Sequence, residues 1–164
     1  MEIRKKLRNV LWVMVSLTVI SCGVVQPYIS VPPGQPRAQV NLLKNNEYLE
    51  LQVYMFEPDE NCKFHYQGTT FLEKKETSKA IYVSPGRRYF RVSGRYTAPG
   101  QSSFTDILDK SFVLDSNRQY QIYLEQVPTK RYRRFAYNIH FLDITDTEPQ
   151  AVDTDDFAIC EELK

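Results

Sequence analysis

Histidine, cysteine, tryptophan and glycine are all scarce in this chain of 164 residues, which holds two, three, one and six of them. Nucleophilic catalysis needs a Ser or Cys beside a base and a group that orients the base. His65 and His140 are the only histidines, and neither G-x-S-x-G nor C-x-x-C occurs. Both histidines fall on the polar faces of predicted strands, as exposed or edge residues. Two histidines at strand spacing would need further ligands to hold a metal. The acidic stretch DTDD (153 to 156) lacks the glycine turn and final Glu of an EF-hand loop, and reads as a solvated tail. The sequence therefore predicts no catalytic residue, no metal site and no cofactor.

Long hydrophobic runs are also missing. The longest uncharged apolar stretch, VLWVMVSLTVI (10 to 20), covers only about 16 Å as a helix, about half of a hydrocarbon core of about 30 Å. It follows a basic start (Arg4, Lys5, Lys6, Arg8), so residues 1–21 read as an export signal and not as a membrane span.

The residues after that run explain one of the three cysteines. VISC, Val19 to Cys22, resembles the bacterial lipobox, in which a branched apolar residue, a tolerant position and a small residue precede a cysteine. The resemblance implies a diacylglycerol on the Cys22 thiol, cleavage before it and acylation of the new amino terminus. Two or three acyl chains, at about 0.8 kcal/mol per buried methylene, make a lasting anchor. Gly23 stands where Asp would imply retention in the inner membrane, so the resemblance implies the outer membrane of a bacterial cell envelope. Export excludes nucleic acid as a partner.

Of 21 basic and 20 acidic residues the signal removes four and one, leaving 17 against 19. From Asp143 onward there are eight acids against Lys164 alone. A tail of −7 therefore leaves +5 on residues 22–142. Four of the nine prolines, Pro27, Pro32, Pro33 and Pro36, lie directly after the anchor. Proline fixes φ and extends its predecessor, so residues 22–37 read as a semi-rigid tether. At about 3.1 Å per residue it would hold a domain up to about 46 Å from the acyl chains.

Residues 38–145 alternate apolar and polar side chains with the period of two that marks half-buried strands. In EYLELQVYMF (47 to 56) Leu49, Leu51, Val53 and Met55 oppose Glu50, Gln52 and Tyr54. CKFHYQG (62 to 68) sets Cys62, Phe64 and Tyr66 against Lys63, His65 and Gln67. In KAIYVSPGRRYFRVSGRY (79 to 96) two strands meet at a Pro85-Gly86 corner, with Phe90, Val92 and Tyr96 opposite Arg91, Ser93 and Arg95. TAPGQSSFTDILDK is a connection long enough for one helical turn. SFVLD, QYQIYLEQV and RRFAYNIHFLDI supply three more strands. Eleven Tyr and nine Phe suit pleated surfaces. The expected fold is all-β, a single antiparallel sandwich of immunoglobulin or transthyretin type, with an acidic tail over 146–164.

The order A-x-V (Ala38, Val40), C…Y-x-G (Cys62, Tyr66, Gly68), IYVSPGRRY (81 to 89) and SFVLDSNRQYQI (111 to 122) resembles small β-sandwich envelope lipoproteins of unknown function in bacteria. The likeness spans residues 38–145 and implies a strand, a Pro-Gly turn and a hairpin with Asn117 in place of a turn glycine. It carries over no catalytic or ligand residue.

Two further features bear on function. Cys62 and Cys160 remain once Cys22 is acylated, in a compartment where disulfides persist. Either they form one bridge, whose loop of about 100 residues would be worth up to about 4.7 kcal/mol, or they stay as a strand thiol and a tail thiol. GRRYFRVSGRY (86 to 96) and TKRYRRFAYNIH (129 to 140) place Arg beside Tyr. Arg88, Arg91, Arg95, Arg131 and Arg134 are thus candidate contacts for phosphate, carboxylate or glycan partners, or else an outward solubilising ladder. The chain reads as a non-enzymatic, lipid-anchored binding or scaffold module for an envelope protein or anionic glycan. An accessory of an envelope secretion or assembly machine and a lysozyme-type hydrolase inhibitor are the alternatives.

Overall fold

The computed structural model describes residues 25–61, 63–98, 101–105, 107–128 and 135–155. These form ten strands: β1 (Ala38–Lys44), β2 (Leu49–Pro58), β3 (Phe64–Leu72), β4 (Ser78–Val83), β5 (Gly86–Ala98), β6 (Gln101–Phe104), β7 (Leu108–Leu114), β8 (Gln119–Pro128), β9 (Phe135–Asp143) and β10 (Gln150–Ala151). No helix occurs among the described residues, and the connection long enough for one helical turn instead carries β6, paired back onto β5.

The front sheet has the order β3-β2-β5-β6, with β7 also paired to β5, and the back sheet has the order β10-β9-β8-β1-β4. The chain passes between sheets at β1–β2, β3–β4, β4–β5 and β7–β8. The Pro85-Gly86 corner and the Ser116-Asn117-Arg118 turn are therefore arches between layers and not hairpins. Gly86 (φ +102°) and Asn117 (φ +65°) supply the left-handed backbone these arches need. Among the ten strands all pairings but one are antiparallel. The exception is β1 with β8, which run parallel from Gln39↔Gln119 to Lys44↔Leu124 and correct the expectation of a purely antiparallel sandwich.

Alternation decides the core. Leu49, Leu51, Val53 and Met55 of β2 and Phe90 and Val92 of β5 face Val40 and Leu42 of β1 and Ile122 and Leu124 of β8 in one buried cluster. Phe112 sits between the layers, with ring centroids 4.9 Å from Phe90, 5.8 Å from Tyr120 and 5.7 Å from Phe141. At such separations aromatic pairs add stabilisation beyond simple area burial. The core face of β1 ends in a buried cation. Lys44 Nζ donates to the carbonyls of Leu49 and Glu73, which replaces lost hydration, and burial lowers its pKa.

The two ends of the described chain close the two open sides of the sandwich. Residues 26–31 do not stand off as a tether; they dock. The Tyr28 amide donates to the Thr69 carbonyl (2.9 Å) and Thr69 donates to Gln26 (2.8 Å) on the β3 edge. Val31 then donates to the Tyr82 carbonyl on β4 (2.9 Å), so this strap crosses from the front-sheet edge to the back-sheet edge. The physical reason lies in Gly68. Gln67 is an extra residue in the register opposite Met55 and Phe56, and Gly68 (φ +133°) follows it. A Cβ on Gly68 would lie 2.6 Å from Tyr28 Cα, so only glycine admits the strap.

On the other side, the expected tail from residue 146 begins as part of the fold. β10 extends the back sheet beside β9, Val152 packs on the core, and Asp155 pairs with Ser111 of β7. The strap thus lies on the β3 and β4 edges, and β10 and Asp155 lie on parts of β9 and β7, which blunts these stretches against edge-to-edge association.

Candidate functional site: a groove on the front sheet

The alternation that buries Leu51, Val53 and Met55 turns Gln52, Tyr54 and Phe56 to the outer face of the front sheet. Register sets Tyr54 beside Arg91 and Gln52 beside Ser93, while Phe56 meets Tyr66. With Thr105 and Ile107 from the β6–β7 connection, these residues line an open groove of about 700 Å³.

Its floor is aromatic. The Tyr66 ring lies 6.4 Å from Tyr54 and 5.7 Å from Phe56, and its hydroxyl contacts Thr69 Oγ1 (2.5 Å) and donates to the Gln26 carbonyl (3.1 Å). The strap thereby fixes one wall. The Gln52 amide donates to the Tyr54 hydroxyl at 2.6 Å. Arg91 forms a fork with Asp109, Nε to Oδ1 and Nη2 to Oδ2, both at 2.8 Å. That hydrogen-bonded carboxylate raises the Arg91 pKa. The groove therefore presents flat rings, planar donors and hydroxyls with its cation already neutralised, a surface made for stacking and hydrogen bonding more than for charge.

The candidate arginines separate. Arg91 lines the groove. Arg95 shares its outward face one β-repeat beyond Ser93, outside the lining. Arg88 has the opposite parity. It is nearly buried, with Nη1 donating to the Arg87 carbonyl (2.8 Å), Nη2 donating to Pro85 (3.0 Å) and Glu57 at 3.1 Å. It secures the corner and is not part of the groove. Arg131 and Arg134, the anchor candidate Cys22 and the disulfide candidates Cys62 and Cys160 lie outside the described residues.

His65 bonds Asp59 at 2.9 Å, and His140 on the back sheet bonds Glu125 at 3.0 Å and stacks on Tyr123. No cluster of three or more His, Cys, Asp or Glu able to hold a metal occurs among the described residues. The aromatic residues of the groove were missed from sequence, although Tyr54 and Phe56 gave a signal as large rings on the face opposite Leu49 to Met55. Tyr66 gave none, because alternation set it with Cys62 and Phe64 on the apolar face, while residues 64–67 are all exposed beside the Gln67 bulge. No family model, curated protein or solved structure matches the chain.

Proposed function

We propose that this chain is a non-enzymatic binding module of a bacterial cell envelope, held by acyl chains on Cys22 to the outer membrane, and that its ligand face is the front-sheet groove. The observation that carries the reading is the groove itself: Tyr54, Phe56 and Tyr66 side by side with Gln52 and the Asp109-oriented Arg91, all on paired strands. Aromatic rings stack on the apolar faces of sugar rings, and planar amide and guanidinium groups bond their hydroxyls. We therefore take an envelope glycan as the ligand class. The two-layer arrangement and its four crossings support the finer reading of an immunoglobulin- or transthyretin-like sandwich.

The test is a crosslinking pull-down from intact cells with the wild-type chain beside Tyr54→Ala and Arg91→Ser. Glycan recovered with the wild type and lost with both variants supports the reading. A stable protein complex that ignores both substitutions would replace it with that of an accessory to an envelope machine. The anchor is tested separately by Cys22→Ala, which should give a soluble or signal-retaining protein; unchanged membrane partition of the variant after a high-salt wash would overturn the anchor.

A further inference from the structure

The docked strap has a consequence for how the domain sits on its membrane, and this inference rests on the anchor reading above. Val25 follows Cys22 by three residues. Three peptide steps reach at most about 11 Å, whatever their conformation. Gln26, one residue on, is pinned to the β3 edge through Thr69. An anchored Cys22 thus leaves no spacer between the acyl chains and this side of the sandwich.

That side is also where apolar surface is left uncovered. Of eight exposed large hydrophobic residues among those described, five lie in residues 25–31 or on β3: Val25, Ile29 and Phe71, together with Phe64, whose ring also meets Tyr89, and Tyr66 of the groove floor. Ile29 is 80% exposed although its neighbours Tyr28 and Ser30 are both held by hydrogen bonds, so it projects from a fixed backbone. Ordering an isoleucine with its side chain in water gains nothing unless another surface covers it.

We infer that the corner formed by the strap and β3 beds into the interfacial zone of the phospholipid bilayer that carries the anchor, side chains of Ile29 and Phe71 foremost. Aromatic and aliphatic side chains at this level are at home in the headgroup boundary. Charge beside Phe71 is balanced, with Lys74 paired to Glu50, Lys79 donating to the Phe71 carbonyl and Glu73 lining the same hollow. The contact is therefore apolar and insensitive to salt. It also sets the groove, which shares Tyr66 with the corner, at the membrane surface, where a glycan lies within reach.

The experiment uses the mature lipoprotein, which keeps no tryptophan because the single one, Trp12, leaves with the cleaved signal. Ile29→Trp, Phe71→Trp and Val113→Trp are introduced singly, and each protein is purified from membranes and reconstituted into phosphatidylethanolamine and phosphatidylglycerol vesicles with brominated acyl chains. Val113 is half-exposed on β7, three strand spacings or about 14 Å across the front sheet from β3. Trp at 29 and 71 should be quenched at least threefold more than Trp at 113, equally in low and high salt. Equal quenching at all three sites overturns the docking and leaves the anchor standing. Shielding of positions 29 and 71 without bromine quenching marks a second copy of the chain as the occupant and also overturns it. Failure to co-sediment with vesicles removes the anchor reading, and the docking falls with it.

Discussion

The backbones of Asp155 and Ser111 exchange both hydrogen bonds of an antiparallel pair, Ser111 donating at 2.7 Å and Asp155 at 2.8 Å. Ser111 belongs to the edge strand of the front sheet, while Asp155 follows the last strand of the back sheet. The pair therefore latches one layer to the other. Asp155 Oδ2 adds an ion pair with Arg87 at 2.7 Å, both side chains about a third exposed.

Two substitutions divide this latch. Asp155→Ala keeps the backbone bonds and removes a solvent-screened ion pair, so it should lower stability by only about 0.3–1 kcal/mol. Asp155→Pro also removes the amide that donates to the buried Ser111 carbonyl, at a further cost of about 1–3 kcal/mol. Urea midpoints of the two variants check the order. Equal midpoints would mean that the latch contributes through its charge alone.

The N-terminal strap depends on Gly68. Gly68→Ala places a methyl 2.6 Å from Tyr28 Cα at a φ of +133° that alanine rarely adopts. The strap should detach, at a cost of about 1–3 kcal/mol. Hydrogen exchange resolves this outcome: the Tyr28 and Val31 amides should lose protection while those of β2 and β5 keep theirs. Uniform loss across the sandwich would show instead that the strap is inseparable from global folding.

Acid should weaken the β2–β3 turn in a defined window. The His65 hydrogen bond, helped by the backbone amides of Lys63 and Asn61, holds the Asp59 pKa at about 2, below the ordinary 3.8. Because folding depresses this pKa, the contribution is fully present above about pH 4 and is lost as pH falls through about 2. Asp59→Asn should flatten the stability profile between those limits. Urea midpoints at pH 6 and pH 2.5 are compared, and an unchanged slope in the variant would place acid sensitivity elsewhere, Asp143 beside Thr145 and Arg118 being the next carboxylate with a lowered pKa.

The strands themselves were legible because alternation is a local property. Leu49 to Met55 names its own buried face, and Asn117 in place of a turn glycine announces its positive φ. What lay hidden was non-local. A strand–turn–strand pattern such as 79 to 96 reads alike whether its arms pair or cross between layers, since both need a corner residue like Gly86. A proline-rich segment signals extended backbone but not the edge on which that backbone will dock. Here the decision rests with Gly68, some forty residues away. Arg87 and Asp155 are 68 positions apart, so a composition that reads as a loose acidic tail conceals a latch. Among the candidate arginines, parity alone separated Arg91 from Arg88, yet only the register revealed that Asp109 neutralises Arg91.

That neutralising pair allows the nature of the ligand to be tested. Asp109 sits opposite Arg91 in the β5–β7 register and fixes the guanidinium through two 2.8 Å bonds. Both side chains are partly exposed, so Asp109→Asn should cost no more than about 1 kcal/mol of stability. Its effect on binding depends on what the groove reads. If Arg91 serves as an oriented planar donor to sugar hydroxyls, loss of the fork disorders it and glycan affinity falls by about three- to tenfold, equivalent to about 0.7–1.4 kcal/mol. If instead the ligand carries phosphate or carboxylate, the same substitution unmasks a cation and affinity rises, most strongly at low salt. Titration of the purified lipoprotein with neutral and with anionic envelope glycans at two salt concentrations separates the two outcomes. A rise in affinity would move recognition from the Tyr54 and Tyr66 rings to the charge on Arg91.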